Sequence, residues 1–280
     1  MAYVDLDRVD CTNLEELREA VAGEVWFHSI DLGNGIVAKG QKSSALLAAE
    51  LAALQLPDLA GKTVLDIGAY DGFYSFEAER RGAKRVVALD LQVWEVETSF
   101  SDAFHRHCAS SGAVPDPPYR TEWLKWDRQP ERMPGKKKFD LARRALSSAV
   151  EPVVRDFMAT GPEDVGVFDV TLFLGVLYHL EDPLRGMRRV ASLTREVAIL
   201  ESEAIYVPGF EDHALCEFFP TDELNGDPSN WWAPNERALL GFCKAAGFSR
   251  VEVKQSAPRR HHKGADRDLV RYRAMLHAWK

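Results

Sequence analysis

Cysteine is scarce in this chain of 280 residues. Cys11, Cys108, Cys216 and Cys243 are scattered and form no C-x-x-C pair. A disulfide framework and a zinc ribbon are therefore not expected; free thiols in a reducing cytoplasm are. Long apolar runs are missing too. The longest, around Val170 to Tyr178, is too short to span a bilayer. No basic-apolar-small leader precedes the chain, so a cytoplasmic, membrane-free protein is expected. Positive charge is also lacking, with a formal net charge of −8. That argues against broad nonspecific nucleic-acid binding, while leaving room for a local basic groove. No repeat or low-complexity tract is present. His105 and His107 are two apart, but no third ligand follows by spacing, so no metal is expected. Hydrophobic content of 46% fits one large globular domain, or one domain plus a cap.

What is present is concentrated between Thr63 and Asp90, TVLDIGAYDGFYSFEAERRGAKRVVALD. Val64, Leu65 and Ile67 form an apolar run without alternation, the mark of a strand buried on both faces. Gly68 and Gly72 bracket a tight turn that includes Tyr70. A helix over Tyr74 to Arg81 ends at Gly82. Arg85 to Asp90 is a second buried strand closed by a carboxylate. The turn is not the G-x-G-x-x-G of a dinucleotide fold. Asp71 sits where a pyrophosphate would rest, and Asp66 ends the first strand; negative charge there suits a cation. A nucleoside carrying a positive centre, S-adenosylmethionine, meets these conditions. Asp90 would take its ribose hydroxyls, with Leu91 beside the adenine edge.

D-I-G-x-x-x-G followed by a strand ending in Asp resembles the class I methyltransferases. Phe168 to Pro183, FDVTLFLGVLYHLEDP, is similar to the group related to the tRNA wobble-uridine carboxymethyltransferases, in which G-V-L-Y-H recurs. The resemblance implies an α/β, Rossmann-like sheet of seven strands with the last strand inserted antiparallel. It also implies that Asp156 and Phe157, after a third strand over Val150 to Arg155, flank adenine. Arg273 would match an arginine that receives the carboxylate of a carboxylated cofactor; the family's accompanying lysine has no clear counterpart in the N-terminal region.

The order of elements suggests a helical N-terminal cap over 1–60 and a methyltransferase domain over 61–280. Pocket insertions fall at about 93–137 and 206–233. Helices are expected over Leu14 to Ala22, Ser43 to Leu54, Phe139 to Ala149, Asp182 to Leu193 and Pro234 to Ala246. Strands are expected over Phe168 to Val176 and Val197 to Leu200, the latter followed by Glu201 and Glu203. Arg250 to Lys254 and Tyr272 to Trp279 read as an antiparallel pair. Basic residues cluster at 120–144 and 254–273.

Transfer to a hydroxyl needs positioning and a base. His179 is the candidate base, with Tyr178 orienting the acceptor or cofactor; Glu201 and His28 are weaker alternatives as base. His28, Trp123, Glu201, Asn230, Trp231 and Arg273 are candidate acceptor contacts. The expected activity is methyl transfer to a hydroxyl of a small molecule, a sugar or natural product. Modification of tRNA is the alternative, favoured by the basic tracts, and a noncatalytic cofactor-binding protein is the third reading. Self-association into a homo-oligomer is compatible with the chain.

Overall fold

A computed structural model describes residues 5–96, 107, 110–111, 131–227, 229–257 and 269–280. Trp123, His105, Cys108, much of the 93–137 insertion and the Arg259 to Lys263 tract lie outside the described residues.

The N-terminal part begins with helix α1, Leu14–Ala22, capped by the Asn13 side chain, which accepts from the Glu15 and Glu16 amides. Short strands follow: β1, Trp26–His28; β2, Ile30–Asp31; β3, Val37–Ala38; and β4, Gly40–Lys42. β1 pairs with β4 in parallel, and β2 with β3 antiparallel. These four strands were not foreseen in an N-terminal part read as helical, because runs of two or three residues carry no measurable period. Helix α2, Ser44–Leu54, lies where a helix was expected and is capped by Ser43, whose hydroxyl accepts from the Leu46 amide.

The central sheet is built from β5, Thr63–Ile67; β6, Arg85–Asp90; β7, Glu151–Val154; β8, Phe168–Leu174; β9, Thr194–Tyr206; β12, Arg250–Gln255; and β13, Val270–Trp279. Two further short strands, β10, Cys216–Phe218, and β11, Trp232–Pro234, pair with each other. The seven-stranded order is β12-β13-β9-β8-β5-β6-β7. β5 to β9 run parallel within it, and β13 is inserted antiparallel between β9 and β12. That is the sheet expected from the sequence.

Successive side chains point to opposite faces of a strand. Val64, Val86, Ala88, Val170 and Leu172 therefore pack on the side covered by α1 and the short N-terminal strands. Leu65, Ile67, Val87, Leu89 and Phe173 form the other core. That side is covered by α6, Pro183–Leu193, and α7, Glu236–Ala245. Helix α3, Phe73–Arg80, follows the glycine turn; α4 is Lys136–Ala145 and α5 is Pro162–Val165.

Several boundaries differ from expectation, α4 among them ending at Ala145 rather than Ala149. β9 is far longer than Val197 to Leu200, because β8 pairs with it as far as Glu201 and β13 as far as Tyr206, so Glu201 and Glu203 are both paired within the sheet. Pro234 belongs to β11, and Asn235 caps α7 through the Ala238 amide. α4 starts three residues before Phe139. Its lysines are held locally: Lys136 Nζ by Asp140 and Lys138 Nζ by the Val25 carbonyl.

Candidate active site

β5 lies between β8 and β6, and the chain leaves β5 towards β6 and returns to β8 on the other side. Ligands bind in doubly wound sheets at such a switch point, beyond the carboxyl ends of the strands. The glycine turn occupies that place. Gly68 and Gly72 adopt φ of +77° and +90°. A Cβ on Gly72 would fall 2.6 Å from Phe76 Cε2 and 2.7 Å from Phe139 Cδ2. Only glycine fits both the backbone and the space.

Two strand-end carboxylates frame the turn. Asp90 accepts from the Tyr70 amide at 3.0 Å and the Val93 amide at 3.2 Å. Each oxygen keeps a second acceptor position. Asp66 accepts from Ser75 Oγ at 2.6 Å. Both are buried, and burial pushes each carboxyl up to about 6. Tyr70, at φ +52°, has its carbonyl bound by Trp94 Nε1 at 2.7 Å. Leu91 follows Asp90 directly, so Asp66, Gly68, Tyr70, Gly72, Asp90 and Leu91 form one contiguous rim. Asp156 and Phe157 lie one strand further out, after β7. There the Asp156 carboxylate caps a single turn through the Met158 amide at 2.9 Å.

Asp71 does not face the strand ends as the sequence suggested. Its Oδ2 accepts from the Phe27 and His28 amides at 3.2 and 2.8 Å, and its Oδ1 lies 2.6 Å from His28 Nδ1. This turn residue anchors β1 to the switch point, a role visible only once β1 is folded against it.

The second cluster follows from strand register. Arg273 stands opposite Glu203, and Met275 opposite Glu201, so Arg273 meets both acids on one face of the β9–β13 pair. Its guanidinium is paired with Glu201 through Nε and through Nη2 at 2.9 Å, and with Glu203 through Nη1 at 2.7 Å. It also lies 5.1 Å from the Tyr178 ring centroid and donates to Tyr178 Oη at 3.2 and 3.3 Å. Burial pushes Tyr178 up to about 12, against the lowering effect of Arg273. Burial raises Glu201 as well, again opposed by Arg273. Nearby, Lys42 and Tyr74 both donate to Glu50 Oε2 at 2.9 Å. Glu203, Lys42 and Glu50 were not singled out from the sequence; nothing in their spacing announces that they meet.

His179 closes the rim. Its Nδ1 lies 2.9 Å from Ser229 Oγ and 3.2 Å from the Ser229 carbonyl. A carbonyl only accepts, so the Nδ1–H tautomer satisfies this contact and puts the lone pair of neutral His179 on Nε2. The Trp231 amide donates to the Tyr178 carbonyl at 2.7 Å. The Trp231 ring lies parallel to Phe218, at 9° and 6.3 Å. Asn230 is buried, with Nδ2 bound to the Leu224 carbonyl at 2.8 Å and Oδ1 without a hydrogen-bond partner. Among the described residues no group of three or more metal-ligating side chains is found.

A family model described as a methyltransferase domain matches residues 40–253. The chain belongs to that family. Its sequence is 26% identical over 196 residues to a tRNA U34 carboxymethyltransferase of Campylobacter hominis, covering 70% of this chain and 53% of that protein. It is also 26% identical over 198 residues to the protein of the same name from Marinobacter nauticus, covering 71% and 47%. The chain thus spans about half the length of the curated relatives it matches. Its fold is similar to the N-terminal domain of EvdMO1, solved in the presence of SAH and D-fucose, with a TM-score of 0.57, 14% identity, and 95% and 97% of the two chains covered. Full EvdMO1 gives 0.54 at 15% identity, covering all of this chain and 49% of that one. The chain thus carries a methyltransferase domain, similar in sequence to the tRNA U34 group and in fold to a protein solved with SAH, the demethylated product of S-adenosylmethionine.

The residues fit that cofactor. The two glycines let the turn close against Val176, Phe76 and Phe139 at the switch point, and Asp90 and Asp66 offer acidic acceptors beside it.

Proposed function

We propose that this methyltransferase uses unmodified S-adenosylmethionine and delivers the methyl group to a hydroxyl of a small polar acceptor, a sugar or natural product. The observation that carries this reading is the state of Arg273. In the resemblance to the wobble-uridine enzymes, this arginine would receive the carboxylate of a carboxylated donor. Here two buried glutamates already neutralise it. A third carboxylate would meet net negative charge and would have to displace one of them. Among the described residues the crevice is acidic, with Asp66, Asp90, Glu201, Glu203 and Glu50 against Arg273 and Lys42. That balance suits a sulfonium and an ammonium group, and it disfavours a polyanion.

The bound cofactor supplies a methyl carbon activated by the sulfonium. Asp90 would hold the ribose hydroxyls. Gly68 and Gly72 would hold the bend that faces the nucleoside, packed against Val176, Phe76 and Phe139. Phe157 would cover the adenine ring, with Asp156 at its amine. Tyr178 and Arg273 would line the transfer side, and Trp231 with Phe218 would offer an aromatic platform to the acceptor.

The second reading, tRNA modification, is favoured by the names of the curated relatives. Against it, much of the described part of the first basic tract is engaged within the protein. Lys136 is paired with Asp140 and Lys137 with Asp7, while Arg143 and Arg144 donate to the Val150 and Leu6 carbonyls. Two measurements test the proposal. Calorimetry with S-adenosylmethionine and its carboxylated analogue should favour the former. Radiolabelled methyl transfer should then be scored on sugars, phenols and tRNA. Preference for the carboxylated donor, with label in tRNA alone, would replace the first reading by the second.

A further inference from the structure

His28 and Asp71 form a buried pair that the cofactor site does not need. His28 is 6% exposed and Asp71 1%. Three donors from β1 fix the Asp71 carboxylate, the shortest being His28 Nδ1 at 2.6 Å. The imidazole is stacked on Phe73 at 5.5 Å and 20°, with the edges of Phe27, Tyr70 and Tyr74 around it. Anchoring β1 would require only the two amides. The ring adds an oriented imidazole against the glycine turn itself. A carboxylate on Nδ1 fixes the proton there and leaves the lone pair of the neutral ring on Nε2. An imidazole and the acid that orients it are thus paired on residues 28 and 71.

We infer that His28, oriented by Asp71, is the base that takes the acceptor's proton, and that His179 is a positioning residue tying the rim to Ser229. This rests on the methyltransferase reading. The acceptor oxygen bonds to the methyl carbon as the carbon–sulfur bond breaks, sulfur keeping that electron pair. The hydroxyl proton passes to His28 Nε2. The resulting imidazolium stays paired with Asp71 until it loses the proton to water. The charged and titratable groups that face His28 are Asp71 and Tyr70 in the turn, Asp66 at the end of β5 and Tyr74 on α3. Lys42, its register partner on β4, and Glu50 on α2, which binds Lys42 and Tyr74, complete the set.

Nitrogen-15 NMR of the histidine rings in the full wild-type chain at pH 8 is the test that needs no acceptor. Protonated Nδ1 and unprotonated Nε2 on His28 are expected; the reverse tautomer would overturn the inference. His28→Asn supplies the kinetic test. It keeps an amide donor for Asp71 and removes the base nitrogen. With radiolabelled S-adenosylmethionine and a panel of hexoses and phenols, kcat should fall about 10²- to 10⁴-fold. Affinity for S-adenosylhomocysteine should stay within about threefold. His179→Asn should raise KM more than it lowers kcat. A His28→Asn enzyme with wild-type kcat, or one altered only in KM, overturns the inference while the methyltransferase reading stands. Failure of the wild-type chain to bind S-adenosylhomocysteine would instead remove the reading beneath it.

Discussion

Arg273 and Glu203 face each other across β13 and β9, and Arg273 Nη1 donates to Glu203 Oε1 at 2.7 Å. Glu201, two residues along the same strand face, takes the rest of the guanidinium. The arginine is thereby a structural cation shared by two acids in the sheet.

Removing that cation should leave two poorly solvated carboxylates facing each other. Arg273→Leu is expected to lower unfolding stability by about 3 kcal/mol, the low end for a broken buried pair, because the arginine retains some solvent contact. Glu201→Gln and Glu203→Gln added to it should recover much of the loss. Urea unfolding of the three proteins checks both statements.

Neutralising the two acids while keeping the arginine should change donor preference instead. Glu201→Gln with Glu203→Gln frees the guanidinium, so affinity for a carboxylated cofactor should rise relative to S-adenosylmethionine by about tenfold or more. Calorimetric titration of both ligands into wild type and double variant measures the shift. An unchanged ratio would mean that Arg273 does not read the donor.

Burial raises Asp66 and Asp90 to about 6, above the unfolded value of about 3.9. The sign of the pH effect follows. Their contribution to stability is complete below about pH 4 and is lost as pH rises through about 6. From these two groups, the ligand-free protein should unfold at higher urea at pH 5 than at pH 7.5. Cofactor binding runs the other way, since a cation prefers the ionised acids. Affinity for S-adenosylmethionine should weaken up to about tenfold per pH unit below 6 for each acid that must ionise.

Gly72→Ala combines a disfavoured φ with overlap on Phe76 and Phe139. A loss of about 2–4 kcal/mol is expected from the two effects together, with weakened cofactor binding because the turn must shift. Chemical denaturation and calorimetry on the same preparation separate the two consequences.

Binding of tRNA, if the small-molecule reading holds, should be weak and should not compete with S-adenosylhomocysteine. An affinity falling steeply with salt, with a slope equivalent to several phosphates, would favour the tRNA reading instead.

Local pattern made the central framework legible. Continuous apolar strands, Pro183 at a helix start and the bend between Gly68 and Gly72 each rest on interactions within a few residues. The pattern lost its grip where a partner is distant. β9 overran its apolar segment because β13 pairs with it as far as Tyr206, and that carried Glu201 and Glu203 into the sheet. Asp71 was visible as an acid in the turn, yet its partner is 43 residues upstream in a strand of three residues.

The chain's own order of residues therefore determined the sheet, the bend and the strand-end acids, since each depends on periodicity or backbone sterics that neighbours in sequence impose. Only the tertiary structure decided what the charges do. Burial and strand register set whether an arginine is open to a ligand or already neutralised, and whether a histidine stands alone or is oriented by an acid. Those quantities depend on separation in space, which no spacing along the chain encodes.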